Sequence, residues 1–193
     1  MRSSTQDRKT KETDIHCYIE IDGIGEAKVD TGIGFFDHIL NTLAKHSGFN
    51  LQLSCRGDLE VDTHHSVEDC GLVLGKALYD ALGERKGIAR YSSFTMCMDD
   101  ALVLCSIDIC NRPYYASDVV FSCDKVGDFE TQTTDEFFRS LANEAKLNLH
   151  FVVLRGENAH HIIEAMTKAL AKCLREAVKI TKEVEYLTTK GIL

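Results

Sequence analysis

Two stretches of this chain begin with the pattern His-His-x-x-Glu and continue as long amphipathic helices. The first runs from His64 to Leu82, where Gly83 ends it, and the second runs from His160 to Val178. Histidine pairs are uncommon, so the same pair with the same downstream carboxylate at two places indicates an internal repeat. A repeat of this kind restricts the fold to two similar units that each end in a long helix.

The segments before each long helix follow one order in both halves. In the first half, alternating apolar residues predict strands over 14–22, 25–30 and 49–55, and helical spacing predicts a helix over 34–47. In the second half, the same rules predict strands over 92–98, 101–109, 117–123 and 147–154, and a helix over 134–146.

These patterns predict an α+β fold with internally duplicated half-domains, each built from strands, a helix, a strand and a long helix. We expect a single domain over 1–193 with half-domains at about 10–88 and 89–182 and a C-terminal tail at 183–193. A polar segment with two glycines, GERKGIARYSS, joins the halves.

The net charge and the hydropathy pattern exclude several classes of function. The formal net charge is -8 at pH 7, whereas a nucleic-acid surface needs clustered lysine and arginine. No apolar run approaches the length needed to cross a bilayer, and the N-terminal residues MRSSTQDRKTKET lack the apolar core of a signal peptide. We therefore expect a cytoplasmic protein that binds neither nucleic acid nor membrane.

The eight cysteines predict no disulfide framework. They include no Cys-x-x-Cys pair, and they lie among apolar residues, as in MCMDDALVLCSIDIC. Free cysteine behaves as a small buried hydrophobe, so we expect reduced core residues rather than disulfides or a zinc–thiolate site.

Helix geometry determines how the two motifs can bind metal. Residues four apart share one face, so His64 projects with Glu68, and His160 projects with Glu164. Adjacent histidines diverge by about 100° around the axis and cannot easily bind one ion. Two motifs related by an approximate two-fold axis would give each of two metal ions three ligands. Nitrogen and carboxylate ligands without sulfur favour manganese, iron, zinc, cobalt or nickel over calcium or magnesium.

The shorter helix of each half offers further candidate ligands. His38 in FFDHIL and Glu136 in TDEFF are each able to complete a metal shell. His46 lies at the end of the first short helix, where a cation is also favoured for structural reasons. His16 and His150 lie within predicted strands, and we interpret both as structural residues.

Isolated basic residues near the ends of segments predict an anionic substrate. Arg90, Arg112, Lys168 and Lys190 are each able to hold a phosphate through charge-assisted hydrogen bonds in this acidic chain. Taken singly, each is more typical of a solvated surface charge. The residue patterns alone therefore predict a metal-dependent enzyme that acts on a small anionic substrate.

A set of ordered motifs resembles the imidazoleglycerol-phosphate dehydratases of histidine biosynthesis. The motifs are GFFDHIL…LAKH, DTHHSVED, LGERKGIARY, RPYY, EFFRSL, AHHIIEAMTKAL and TTKG, and the likeness extends from Lys11 to the C-terminus. It implies a lyase that removes water from D-erythro-imidazole glycerol phosphate to give imidazole acetol phosphate. It also implies a fold like domain 2 of ribosomal protein S5, two Mn²⁺ ions per active site, and a homo-oligomer of 24 subunits with active sites shared between chains.

The resemblance further implies which residues bind each metal ion. One manganese ion would take His38, His65, His160 and Glu164, and the other would take His64, Glu68, Glu136 and His161. Glu136 stands where many relatives have histidine, and a carboxylate is also a good manganese ligand.

The substrate contacts are likewise implied by the resemblance. Thr188, Thr189 and the four basic residues named above match the family's phosphate-binding positions, and Glu12 matches an acidic residue near the substrate. The full implied substrate-binding set is Glu12, His38, His46, His64, His65, Glu68, Arg90, Arg112, His160, His161, Glu164, Lys168, Thr188, Thr189 and Lys190. The proton to be removed lies on a carbon that is not next to a carbonyl, so a carboxylate must assist, and Glu12 and Glu164 are the candidate catalytic residues.

Two other functions stay open at this point. A hydrolase such as a phosphatase on the same scaffold would release inorganic phosphate, because fold does not fix function. A non-catalytic metal-binding or storage assembly would keep the metal ligands but would not need the basic residues.

Overall fold

The computed structural model describes residues 1–181 and 186–189. The first half contains β1 (Ser3–Lys9), β2 (Thr13–Glu20), β3 (Ala27–Asp30), α1 (Gly34–Ser47), β4 (Asn50–Gly57) and α2 (His64–Leu82). The second half contains β5 (Tyr91–Met98), β6 (Ala101–Asp108), β7 (Tyr114–Ala116), β8 (Lys125–Val126), β9 (Phe129–Glu130), α3 (Thr133–Ala145), β10 (Asn148–Arg155) and α4 (Ala159–Ala177).

The two halves have the same sheet topology. The first sheet has the order β1-β2-β4-β3, and the second has the order β5-β6-β10-β7. In each sheet the first three strands pair antiparallel, and the last strand pairs parallel to its neighbour. This equivalence confirms the predicted duplication, whereas the half-domain boundaries near 10–88 and 89–182 stay a prediction.

The helices lie between the two sheets. In the first half α2 packs on β1 and β2, and in the second half α4 packs on β5 and β6. The two helical layers meet where α1 contacts α4 and α2 contacts α3. A single hydrophobic core therefore runs through both halves, and apolar residues that alternate along β2 and β6 face it.

Two glycines allow α2 and α3 to approach closely. A Cβ atom at Gly71 would lie 2.7 Å from the carbonyl oxygen of Phe137, and one at Gly75 would lie 2.6 Å from that of Leu141. Both oxygens belong to the backbone, so no side-chain rotation could relieve the clash. The glycine pair, one helical turn apart, therefore sets the distance between the two halves on this side.

The predicted helices are confirmed, and α1 and α2 have the predicted bounds. The predicted strand over 117–123 is wrong, because this segment is irregular and the third strand of the second half is β7. Side chains hold the segment instead: Asp118 accepts a hydrogen bond from the Val153 amide, and Ser122 donates one to the Glu157 carbonyl. The strands β1, β7, β8 and β9 were not predicted.

Cysteine burial departs from the prediction at two positions. Six cysteines are buried, as expected, but Cys97 and Cys123 are exposed. Cys97 lies on β5, the edge strand of the second sheet, where alternate side chains point away from the core. All eight are free thiols. Within the described ranges, no helix combines the length and the apolar character needed to cross a membrane.

Candidate metal centre

Three of the predicted ligands converge between α1 and α4. His38 Nε2 lies 3.0 Å from Glu164 Oε2, and His160 Nε2 lies 3.2 Å from the same oxygen. One ligand atom of each residue lies within 4.8 Å of the others, and in the part of the chain that the structure describes no other group of three or more such residues is this close. Phe35 packs against the His160 ring with a centroid distance of 4.8 Å and so fixes its orientation.

Glu164 is the buried member of this cluster. Only 7% of the residue is exposed, whereas the His38 and His160 side chains are 47% and 43% exposed and face solvent. Burial acts to raise the pKa of Glu164, but the hydrogen bond with His38 and the ion pair with Lys168 outweigh it and lower the pKa to about 2. Glu164 is therefore an ionised carboxylate at neutral pH and suits a divalent cation.

Lys168 lies one helical turn after Glu164 and faces the same cluster. Its Nζ lies 2.6 Å from Glu164 Oε1 and 3.4 Å from Met98 Sδ, and its side chain is 18% exposed. His46, on α1, lies close enough for the charge of Lys168 to affect it: burial, followed by Lys168 and Lys172, lowers the pKa of His46.

The first motif occupies the start of α2. His64 Nε2 lies 3.4 Å from Glu68 Oε2, which confirms that this pair shares a helix face. His65 Nδ1 lies 3.1 Å from Asp58 Oδ2, and His65 Nε2 lies 4.0 Å from Glu12 Oε1. The hydrogen bond with Asp58 raises the pKa of His65 and, by engaging Nδ1, leaves Nε2 available to a metal.

Adjacent histidines point apart, as the helix geometry predicts. The rings of His64 and His65 are inclined by 78°, and those of His160 and His161 by 73°. His161 Nδ1 lies 2.6 Å from Asp100 Oδ1, and its Nε2 lies 3.4 Å from Asp99 Oδ2. Asp100 thus orients His161 in the same way that Asp58 orients His65.

Five predicted ligands do not join the central cluster within one chain. They are His64, His65, Glu68, Glu136 and His161. Glu136 lies on α3, where both of its oxygens are 2.6 Å from Nη1 of Arg139. One chain therefore presents one three-ligand cluster, one His–Glu pair and three separate ligand side chains.

The predicted phosphate contacts differ in their surroundings. Arg112 is exposed, but Arg90 is only 6% exposed and binds both carboxylate oxygens of Asp108. Arg90 also donates a hydrogen bond to the Leu187 carbonyl, so it holds the segment that carries Thr188 and Thr189. Lys190 lies outside the described residues.

Several supporting residues were not predicted. Asp58, Asp99, Asp100 and Phe35 act on predicted ligands only through contacts that folding creates, and in the sequence Asp99 and Asp100 only separate two predicted strands. The histidines interpreted as structural are accounted for: His16 Nδ1 lies 2.7 Å from Asp7 on the outer face of the first sheet, and His150 stacks on Tyr114.

Comparisons with known proteins agree on one family. A family model described as imidazoleglycerol-phosphate dehydratase matches residues 31–174. The imidazoleglycerol-phosphate dehydratase of Caldanaerobacter subterraneus subsp. tengcongensis is 50% identical to this chain over 194 residues. The alignment covers 100% of both chains. That of Acetivibrio thermocellus is 50% identical over 187 residues, with 96% of both chains covered.

Solved structures give the same result. The crystal structure of imidazoleglycerol-phosphate dehydratase from Staphylococcus aureus superposes with a TM-score of 0.84 at 34% identity, covering 93% of this chain and 99% of that one. The structure of the Pyrococcus furiosus enzyme superposes with a TM-score of 0.83 at 38% identity, covering 97% and 100%.

Proposed function

The chain belongs to the imidazoleglycerol-phosphate dehydratase family of hydro-lyases, and from this premise we propose that it dehydrates D-erythro-imidazole glycerol phosphate to imidazole acetol phosphate. This reaction would serve L-histidine biosynthesis in the cytoplasm. The single observation that carries the proposal is the convergence of His38, His160 and Glu164, which come from two helices of different halves.

The residues present fit a manganese ion. Two imidazole nitrogens and one ionised carboxylate oxygen form the donor set, and no sulfur atom is among the donors. Such a set suits manganese better than calcium or magnesium. When bound, two Mn²⁺ ions would hold the substrate's imidazole ring and stabilise the negative charge that develops as water leaves.

The ligand assignment follows the resemblance to the family, and the three-ligand cluster within one chain is compatible with it. We assign His38, His65, His160 and Glu164 to one ion and His64, Glu68, Glu136 and His161 to the other. Since His65, Glu136 and His161 lie apart from the groups that they are to complete, subunits would have to exchange ligands. We therefore propose active sites shared between chains of a homo-oligomer, which we expect to contain 24 subunits.

The predicted phosphate contacts lie in two places, since Lys168 is beside the cluster whereas the Arg90 amide is hydrogen-bonded to Ala177 at the other end of α4. Lys168 lies beside Glu164, and the exposed Arg112 offers a fork of N–H donors suited to phosphate. Arg90 would act by fixing Leu187, so that Thr188 and Thr189 present their donors to the phosphate of a substrate held by another subunit's cluster. His46, next to Lys168, would line the site on the α1 side.

The two candidate catalytic carboxylates differ in a way that separates their roles. Glu164 has a pKa lowered to about 2 and contacts His38, His160 and Lys168, so it stays ionised and serves as a ligand. Glu12 is exposed and lies 4.0 Å from His65 Nε2, at the edge of a ligand histidine. We assign proton transfer to Glu12, because a proton carrier must exchange with solvent between turnovers.

The test is product analysis on the purified protein. With Mn²⁺ and imidazole glycerol phosphate, we expect imidazole acetol phosphate without release of inorganic phosphate. Phosphate release would instead favour a hydrolase on the same scaffold. No turnover, together with metal binding that survives loss of Arg112 and Lys168, would favour a metal-storage assembly.

A second experiment tests the shared site. If metal ions join ligands of different chains, metal stabilises the assembled state by mass action. Removal of metal by a chelator should then reduce the particle size in sedimentation velocity, and added Mn²⁺ should restore it. A particle of unchanged size that has lost all activity would contradict ligand exchange between subunits.

A further inference from the structure

One segment breaks the internal repeat of this fold. In the first half only residues 31–33 separate β3 from α1, whereas in the second half residues 117–132 separate β7 from α3. This insertion contains the hairpin of β8 and β9, in which Lys125 pairs with Glu130, and Val126 pairs with Phe129. A departure from an otherwise repeated plan commonly marks a functional requirement.

The hairpin contacts the start of the first His-His-x-x-Glu helix. Glu130 Oε2 accepts hydrogen bonds from the Thr63 hydroxyl at 3.0 Å and from the Thr63 amide at 3.4 Å. Thr63 is the N-cap of α2 and directly precedes His64 and His65, yet its side chain makes no capping hydrogen bond. Counted from the His-His pairs, Asn158 corresponds to Asp62, and both cap their helices, Asn158 by accepting from the His161 amide and Asp62 by accepting from the His64 amide. Thr63 corresponds to Ala159, which has no side chain able to make the contact with Glu130.

The same hairpin supports the second motif. Phe129 is 2% exposed and packs against Phe35 at 5.6 Å and against Phe36 at 5.8 Å between ring centroids. Phe35 in turn packs on His160 and lies 6.1 Å from the His38 ring. Two adjacent residues of β9 thus reach both motifs, one through a carboxylate and one through an aromatic stack.

We propose that Glu130 is a positioning residue that fixes the start of α2, and therefore the direction of His64 and His65, relative to the cluster of His38, His160 and Glu164. This proposal rests on the proposed metal-dependent function. It differs from a ligand role, because Glu130 contacts Thr63 and not a histidine.

The energetics favour this role for a carboxylate. The N-terminus of a helix carries a partial positive charge and unpaired N–H groups, and a nearby anion stabilises both. Asp62 Oδ1 accepts from the His64 amide at 2.8 Å and caps the helix from its own loop, whereas the hydrogen bonds between Thr63 and Glu130 tie the same turn to the hairpin. Glu130 is also 3.4 Å from Lys125 Nζ, which holds the carboxylate in place from the opposite side.

Substitutions at Glu130 separate positioning from general stability. Glu130→Ala removes both acceptors, whereas Glu130→Gln keeps one acceptor oxygen at the same reach. We expect Mn²⁺ affinity of the metal-stripped protein to fall about tenfold in Glu130→Ala, at the low end for residues that orient ligands, and to be largely retained in Glu130→Gln. Glu60→Ala is the matched control, since Glu60 is exposed in the loop before α2 and has no side-chain hydrogen bond or ion pair with the described residues.

Two further readouts do not depend on catalysis. Hydrogen exchange of the metal-free protein should accelerate over residues 61–67 in Glu130→Ala and not in Glu60→Ala. Thr63→Val removes the hydroxyl donor, so the Thr63→Val/Glu130→Ala double variant should bind Mn²⁺ no more weakly than Glu130→Ala alone. Wild-type affinity and exchange in Glu130→Ala, or fully additive losses in the double variant, would overturn the proposal. An inactive wild type that still shows these effects would instead refute the proposed reaction and leave the positioning role standing.

Discussion

Asp100→Asn tests whether His161 binds metal through Nε2. In the structure Asp100 Oδ1 lies 2.6 Å from His161 Nδ1, while Oδ2 accepts from the amides of Glu157 at 2.7 Å and Asn158 at 3.1 Å. These backbone hydrogen bonds, followed by the contact with His161, hold the pKa of Asp100 well below its usual range. An ionised Asp100 therefore accepts at both oxygens, which fixes the proton of neutral His161 on Nδ1 and leaves Nε2 unprotonated.

An amide in this position cannot make the same contacts. Two backbone N–H groups require an acceptor at the Oδ2 position, so the Asn oxygen would occupy it and the amide NH2 would face His161 Nδ1. An NH2 donor stabilises the tautomer that carries its proton on Nε2, and this tautomer cannot bind metal through Nε2. We expect the affinity of the site that uses His161 to fall about 100-fold, the upper end for loss of a residue that orients a ligand.

Asp58→Asn provides a matched comparison. Both oxygens of Asp58 face His65 Nδ1, at 3.1 and 3.2 Å, and within the described residues no backbone amide is hydrogen-bonded to either oxygen. The Asn side chain is therefore free to turn its oxygen toward Nδ1, and we expect a loss of only about tenfold. Asp7→Asn is the control, because Asp7 contacts His16 Nδ1 at 2.7 Å but His16 lies outside every proposed site.

The assay is Mn²⁺ titration of each metal-stripped variant, with free Mn²⁺ measured by electron paramagnetic resonance. Nitrogen chemical shifts of the His161 ring would report its tautomer independently. If Asp100→Asn binds Mn²⁺ as tightly as Asp7→Asn does, then either His161 is not a ligand or its tautomer is not set by Asp100. Equal losses for Asp100→Asn and Asp58→Asn would refute the role of the two backbone amides.

Three further predictions concern packing, substrate binding and pH. Gly75→Ala should lower the free energy of unfolding by about 1–2 kcal/mol, since overpacking outweighs the gain in helix propensity. Gly34→Ala should not lower it, because a Cβ atom there meets nothing within 4 Å. Equal stability of the two variants in urea denaturation would contradict the close contact between α2 and α3. Lys168→Ala should raise KM more than it lowers kcat, with a total loss in kcat/KM of about 1.5–3 kcal/mol. Glu164→Gln should mainly lower kcat. An unchanged KM for Lys168→Ala in steady-state kinetics would remove Lys168 from the phosphate site. Because the pKa of His46 is lowered from 6.5, its contribution to stability is complete above pH 6.5 and is lost as the pH falls through the lowered value. His46→Gln should flatten this pH dependence of thermal unfolding. A pH profile identical to that of the wild type would show that His46 does not titrate in this way.

The periodic parts of the fold could be predicted because their signal is local. The bounds of α1 and α2 follow from apolar spacing and from glycines just after their last residues, Gly48 and Gly83. The prediction of a strand over 117–123 was wrong because distant contacts decide the conformation of this segment. Asp118 and Ser122 are hydrogen-bonded to Val153 and Glu157, which the local alternation of residues does not reveal. A two-residue strand such as β9 has no periodicity to detect, so Glu130 and Phe129 gave no signal.

The candidate site shows the same division between local and distant information. Helix geometry predicts that His160 and Glu164 act together and that His160 and His161 diverge, because only one helix is involved. The placement of His38 beside Glu164 depends on how α1 crosses α4, which no spacing in the sequence specifies. The carboxylates that orient His65 and His161 also depend on folding. Asp58, which contacts His65, follows β4, whereas Asp100, which contacts His161, lies in the turn between β5 and β6.

The divergence of adjacent histidines has a consequence for the whole assembly. Neighbouring residues of a helix diverge by about 100° around its axis, and His160 contacts Glu164 whereas His161 contacts Asp100, so we expect each motif to contribute to two centres. One chain gathers three ligands for the first centre and leaves His65, His161 and Glu136 on other surfaces. If all eight proposed ligands bind metal, the missing partners must come from other copies of the chain, and duplication within the chain is then the means by which one sequence supplies both sides of each shared site.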